Sequence, residues 1–366
     1  MRKIIFCLPL LLIFLPLLGT RLFVARPLGV YFDFPPEPGL VTHAPFSWPV
    51  FIGLAAFLAA CAAPFVSRAV FVLRQRTIPA PARPAGRFPA WGWAGVLICA
   101  AAWVLAWTRF DWFAGFQPYT FPFLWIGFIL AVNALAVRRT GTCLLVQKPG
   151  FFLALFPASA VFWWFFEYLN RFVLNWYYIH VDMFAPWEYV VYASACFATV
   201  LPGVLSVAAL LQTFPFFERA YVDFIPLRPA APRRWAAALL VIAAAGLFFL
   251  GLLPNLLFPL LWVSPLLIIV CLQVLTGQQT ILAPVRRGDW RRIVCFAAAA
   301  LVCGFFWEVW NYWSMAKWEY SLPFVHAFQV FEMPILGYAG YLPFGLECAV
   351  VGDTLERVLC GRRPVG

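Results

Sequence analysis

The sequence predicts an all-α polytopic membrane protein, and three observations carry that reading. Of its 366 residues 64% are hydrophobic and only 11% charged, with a mean hydropathy of +0.87; soluble domains are roughly half apolar and a quarter charged. Ten mostly apolar stretches recur along the chain, most near the length of about 20 residues that crosses a bilayer. Lys and Arg gather in alternate connections between them. This apolar excess is too large for a core that must still be wrapped in polar surface. A soluble enzyme, a disordered chain and a disulfide-stapled secreted domain are therefore excluded.

In chain order the stretches are 4–20, 48–67, 91–109, 121–137, 151–169, 189–212, 235–253, 256–275, 293–313 and 333–352. The first follows Met1-Arg2-Lys3 in the manner of a signal peptide, but no small-x-small cleavage motif comes after it, so it reads as an uncleaved helix. Segments 74–87 and 138–150 are basic breaks; 214–234 and 277–292 are polar connectors. With the N-terminus in the cytoplasm, only Arg21, Arg26, Arg109, Arg171 and Lys317 of the 26 Lys and Arg fall on the outer side. The positive-inside rule then puts both termini in the cytoplasm and the chain in the inner (plasma) membrane. The net charge of +11 becomes a topology device and calls for no nucleic acid. The ten Cys are scattered, mostly inside apolar stretches and without a CxxC pair, and read as packing residues.

The chain also repeats itself. Phe121-Pro122-Phe123-Leu124-Trp125 matches Phe258-Pro259-Leu260-Leu261-Trp262, and Phe166-Glu167-Tyr168-Leu169-Asn170 matches Trp307-Glu308-Val309-Trp310-Asn311. Arg83-Pro84-Ala85 and Arg228-Pro229-Ala230 each precede a span that opens on Trp. The reading is a two-helix N-terminal extension (1–80) followed by two parallel four-helix repeats (81–225 and 226–366), related by an axis along the membrane normal.

Ionisable residues inside spans are costly and mark function by default. Glu167 and Asn170, and Glu308 and Asn311, lie three apart, so each pair shares a helix face. They are expected to converge on one cavity near the outer face, with Glu167 and Glu308 as an acid/base pair oriented by Asn170 and Asn311. Trp176, Trp307 and Trp318 are expected as cavity walls. Glu188, Glu332, His180 and His326, in the outer loops, are further candidates to bind a ligand. A metal held by Glu and His on that face is an alternative; Asn in place of His in the Glu-x-x-His spacing counts against it. No cofactor is otherwise implied. In the last span Pro334, Gly337, Gly340, Pro343 and Gly345 predict a broken helix, tolerated where backbone lines a cavity.

At these residues the chain resembles the intramembrane carotenoid and terpene cyclases of the lycopene-cyclase-domain type. That family carries an intramembrane acid, then Trp-x-Tyr or Trp-x-Phe, then a Pro-x-Glu-acid motif. Here Glu167, Trp176-Tyr177-Tyr178 and Pro186-Trp187-Glu188 stand in that order, and Glu308 and Trp318-Glu319-Tyr320 repeat it. Tyr189 replaces the final acid, Glu332-Met333-Pro334 reverses the order, and the units have four spans where the family has three. The resemblance implies acid/base chemistry on an isoprenoid or other lipid-soluble substrate. Two other readings use the same residues: a lipid or small-solute transporter or binding protein, and a membrane subunit docking a periplasmic partner. Membrane lipid is a partner under each of the three.

Overall fold

A computed structural model describes residues 10–24, 27–33, 41–75 and 86–360. Residues 4–9 of the first stretch, Arg83-Pro84-Ala85, and the basic residues Arg2, Lys3, Arg26, Arg76, Arg362 and Arg363 lie outside them. Within them every apolar stretch is largely helical. Backbone that has left water must satisfy its N–H and C=O groups internally, and a helix does so. The longer helices are α1 (Leu15–Phe23), α2 (Trp48–Arg74), α3 (Ala90–Trp107), α4 (Phe121–Thr140), α5 (Pro149–Val173), α6 (Pro186–Phe197) with α7 (Val200–Leu211), α8 (Pro232–Phe248), α9 (Leu260–Leu275), α10 (Arg291–Tyr312) and α11 (Tyr341–Cys360). Seven helical segments among the described residues are long and apolar enough to cross a membrane: Trp48–Arg74, Ala90–Trp107, Gln117–Thr140, Pro149–Val173, Pro186–Leu211, Arg291–Tyr312 and Ile335–Leu359. Leu11–Phe23 and α9 are apolar but shorter.

The helix ends follow local chemistry. Proline opens α5, α6 and α8, where its missing N–H costs nothing. Glu188, in the first turn of α6, accepts the N–H of Ala185 at 2.9 Å, which offsets unpaired donors at that terminus. At the end of α4, Gly141 takes φ +79°, the left-handed cap that glycine adopts without strain.

α3 packs along α4 and α8 along α9; α10 lies against α11, and α5 against α6 and α7. α7 also contacts α4 and α10, as α11 contacts α9 and α5. One hydrophobic core runs through these helices, with Trp125, Trp310, Phe166 and Phe344 fully buried in it. α2 stands apart: of its 27 residues only Val72 is buried. It is fastened at both ends. The Arg68 Nε–H donates to Ala220 O and the Tyr221 hydroxyl to Phe65 O, both at 3.0 Å. At the far end Ser47 N–H donates to Phe324 O at 2.9 Å, beside the rings of Trp48, Phe51 and Phe328.

Four short strands, absent from the all-α expectation, cross one face. β1 (Trp176–Ile179), after α5, pairs antiparallel with β2 (Lys317–Tyr320), after α10: Trp176 opposes Tyr320, Tyr177 opposes Glu319, and Tyr178 opposes Trp318. β3 (Gln329–Val330) pairs with β4 (Met333–Pro334). Aromatic and β-branched residues suit strands, but segments of two to four residues are too short to show alternation.

Candidate functional site

The β1–β2 ribbon covers a cavity of about 400 Å³ with overwhelmingly apolar walls. α2 supplies one wall through Leu54, Phe57, Leu58 and Cys61, and the ribbon supplies Trp176, Tyr178, Trp318 and Tyr320. Trp163 of α5, Trp262 of α9, Trp307 of α10 and Tyr341 of α11 add further aromatic lining, as do Tyr189, Tyr192 and Phe197 of α6. Trp163 lies 6.4 Å from Trp262 and 6.3 Å from Trp307 between ring centroids, and Trp176 lies 5.5 Å from Trp262. The rings of α5 and β1 thus meet those of α9 and α10. The break expected before α11 is present as a tight turn, Ile335–Gly340, and Gly337 and Gly340 line the cavity.

Both predicted glutamates are buried, Glu167 at 1% exposure and Glu308 at 0%. Neither is among the lining residues; each stands behind the aromatic wall and holds it by hydrogen bonds. Glu167 Oε1 accepts from Trp163 Nε1–H and Trp176 Nε1–H, both at 3.0 Å, and from the Tyr178 hydroxyl at 2.5 Å. Glu308 Oε1 accepts from the Tyr320 hydroxyl at 2.6 Å and the Tyr341 hydroxyl at 2.9 Å. Trp318 Nε1–H donates to the Tyr320 oxygen at 2.7 Å. Glu308 Oε2 is buried without a hydrogen-bond partner among the described residues. Arg171, buried one turn beyond Glu167, is in electrostatic range of that carboxyl.

Desolvation first, and then the neighbouring carboxyls, hold the Tyr178 and Tyr320 phenols well above their usual range. These hydroxyls keep their protons and serve as donors. On the opposite side of the ribbon, burial and the Glu319 carboxylate at 2.9 Å push Tyr177 up to about 12.

Asn170 and Asn311 bond to backbone. Asn170 Nδ2–H donates to Trp176 O at 2.7 Å and its Oδ1 accepts from Asn175 N–H at 2.8 Å. Asn311 Nδ2–H donates to Trp318 O at 2.7 Å and its Oδ1 accepts from Trp318 N–H at 2.9 Å. Both amides clamp the ribbon backbone onto the helix ends. The four outer-loop candidates do not line the cavity. Glu188 caps α6, as described. Glu332 pairs with Lys317 at 2.5 Å. His180 is exposed, with Nδ1 3.0 Å from Met315 O, and His326 is exposed beside Gln329. No group of three or more His, Cys, Asp or Glu placed to hold a metal ion occurs among the described residues.

Of the expected walls Trp176, Trp307 and Trp318 all line the cavity. Sequence reasoning missed the tyrosines as the direct partners of the carboxyls, although Trp-x-Tyr in both ribbon strands was the visible signal. It also passed over Trp163, one turn before Glu167. No protein-family model matches the chain, and neither does any curated protein or solved structure.

Proposed function

We propose that the chain is an intramembrane enzyme that acts on an isoprenoid or other lipid-soluble substrate. One observation carries the reading: two buried carboxyls are each hydrogen-bonded by tyrosine hydroxyls that line one apolar cavity. Tyr178, Tyr320 and Tyr341 touch the substrate. Glu167 and Glu308 stand behind them as partners that take up or return a proton, so acid/base chemistry reaches the cavity through the phenols. The apolar walls admit hydrocarbon and exclude water. The motif resemblance to lycopene-cyclase-domain proteins is a second support.

The same proposal includes ten spans in the inner membrane, with both termini in the cytoplasm and the ribbon on the outer face. It includes two four-helix repeats. Supporting them, α3–α4 packing has its counterpart in α8–α9, α4–α7 in α9–α11, and α10–α7 in α5–α11. The Trp-x-Tyr strands pair antiparallel, Trp opposite Tyr at both outer positions, as a twofold axis between the repeats requires.

A second reading, a binding or transport protein, draws on the same geometry, because the carboxyls are not themselves in the cavity wall. The test is mass spectrometry of lipids after incubating the purified chain with an isoprenoid extract, alongside the Tyr178→Phe/Tyr320→Phe variant. A new product with wild type alone is the expected outcome. A lipid retained unchanged moves the second reading to first place. Wild-type protein that neither holds nor alters any lipid overturns both.

A further inference from the structure

At the end of the bundle opposite the ribbon, where α10 begins, two surface segments are tied side by side. Phe224 N–H donates to Gly288 O at 3.0 Å and Leu227 N–H to Val285 O at 3.1 Å. The Trp290 indole N–H adds a bond to Ile225 O at 2.6 Å. This contact gathers arginines. Arg228 Nε–H donates to Arg286 O at 2.9 Å, and Arg287 follows in sequence. α10 is 22 residues long, roughly 33 Å at about 1.5 Å per residue. The cluster and the ribbon therefore lie about one bilayer core apart.

These charges are unanswered within the protein. Arg228, Arg286 and Arg287 are exposed, and none forms an ion pair among the described residues. Arg233 and Arg234, shortly after Arg228 in the chain, are also exposed and outside any such pair. They open α8, whose first turn holds no acidic residue, although the positive end of a helix disfavours cations. The start of α10 is the contrast. It too opens on two arginines, but Arg291 has Asp289 at 3.5 Å and Arg292 has Asp353. Like charges held together by backbone bonds repel, and a bound anion offsets that repulsion. Around them Ile225, Leu227, Leu282 and Trp235 are exposed as well, so guanidinium and hydrocarbon share one surface.

We propose that this cluster binds the phosphate head of an anionic phospholipid, with the acyl chains against the exposed apolar residues beside it. A planar guanidinium donates paired N–H bonds to phosphate oxygens, and its charge does not titrate away. A free phosphate would answer the arginines but leave Ile225, Leu227, Leu282 and Trp235 bare; a lipid covers both. Several guanidiniums at one contact favour a head with two phosphates over a head with one. On the proposed topology the site faces the cytoplasmic leaflet, where basic side chains meet anionic lipid. It lies at the other end of the helices from the aromatic cavity and stands whatever that cavity does.

The test uses the full chain in a neutral detergent, titrated with cardiolipin (two phosphates), phosphatidylglycerol (one) and zwitterionic phosphatidylcholine, with bound lipid counted by native mass spectrometry. Wild type is expected to hold cardiolipin about tenfold or more tightly than phosphatidylcholine, with phosphatidylglycerol between them. Excess inorganic phosphate is expected to leave the lipid bound. Arg228→Gln/Arg286→Gln/Arg287→Gln is expected to lose the preference; glutamine at 228 keeps an N–H for the Arg286 carbonyl. A charge-matched control, Arg74→Gln/Arg87→Gln/Arg138→Gln, removes exposed arginines from the same end of the bundle and is expected to stay within about twofold of wild type. Equal binding of the three lipids by wild type overturns the site. Equal loss in the two variants also overturns it, because general attraction then suffices. Displacement by inorganic phosphate overturns the lipid assignment. The lipid and phosphate comparisons use wild type alone and decide the matter even if the cluster variant does not fold.

Discussion

A carboxyl and an amide three residues apart can share a helix face and still serve different masters. Glu167 holds aromatic side chains, while Asn170 holds the backbone that returns past it. The reason is local: α5 ends three residues after Asn170, and the left-handed Leu174 turns the chain back across the helix end. Glu-x-x-Asn spacing was legible in the sequence, as was its duplication; the return path was not, because no glycine announces the turn. Replacing Asn311 by Ala strands the part-buried N–H and C=O of Trp318, at about 1–2 kcal/mol for each unmade bond. Asn311→Ala is thus expected to destabilise by roughly 2–4 kcal/mol, seen as a fall in melting temperature; an unshifted melt contradicts the clamp. Tyr178→Phe leaves two indole donors on Glu167 and should cost under about 2 kcal/mol. Tyr320→Phe/Tyr341→Phe removes both phenol donors from Glu308 and should cost about 2–5 kcal/mol. Melting temperatures in any other order would count against the hydrogen-bond assignments.

Among elements, the α3–α4 pair shows how closely the helices approach. A Cβ on Gly127 would lie 2.5 Å from the Cys99 nitrogen and 2.7 Å from Gly95 O, both backbone atoms that cannot step aside. Small residues permit such approach between membrane helices. Gly127→Ala is expected to cost about 1–3 kcal/mol through overpacking, whereas Gly150→Ala, at a glycine with open space around it, should leave the melt unchanged. Equal effects at the two positions would refute the packing argument. The positions of the helices were legible because apolar run length is a strong signal, and proline marked several starts. Pro157 and Pro265 inside α5 and α9 did not disrupt that reading, since neighbouring helices can compensate freed backbone groups. The ribbon escaped notice for the opposite reason: its stability comes from pairing residues 142 apart in the chain (Tyr177 with Glu319), which no local pattern encodes.

At the scale of the whole molecule, the aromatic layer joins elements that the sequence places far apart. Trp163 and Trp176 carry Glu167 on one side, Trp307 stacks at 5.9 Å on Tyr341, which binds Glu308, and Trp163 meets Trp307 at 6.3 Å. A tryptophan-rich face was legible, and most of it reads equally well as an interfacial belt. Which rings face inward depended on the packing of four helices and could not be read from spacing alone. The wall supplied by α2 has a consequence for how any occupant is counted. That helix is a single layer, roughly 10–12 Å across, pinned at its ends, with most of its surface exposed. On the proposed reading, a molecule dissolved in the surrounding hydrocarbon meets the cavity at its abundance within the leaflet. Half-saturation is then a mole fraction of lipid, and adding empty vesicles to a sealed sample would drain the site although every molecule originally present remained in the tube.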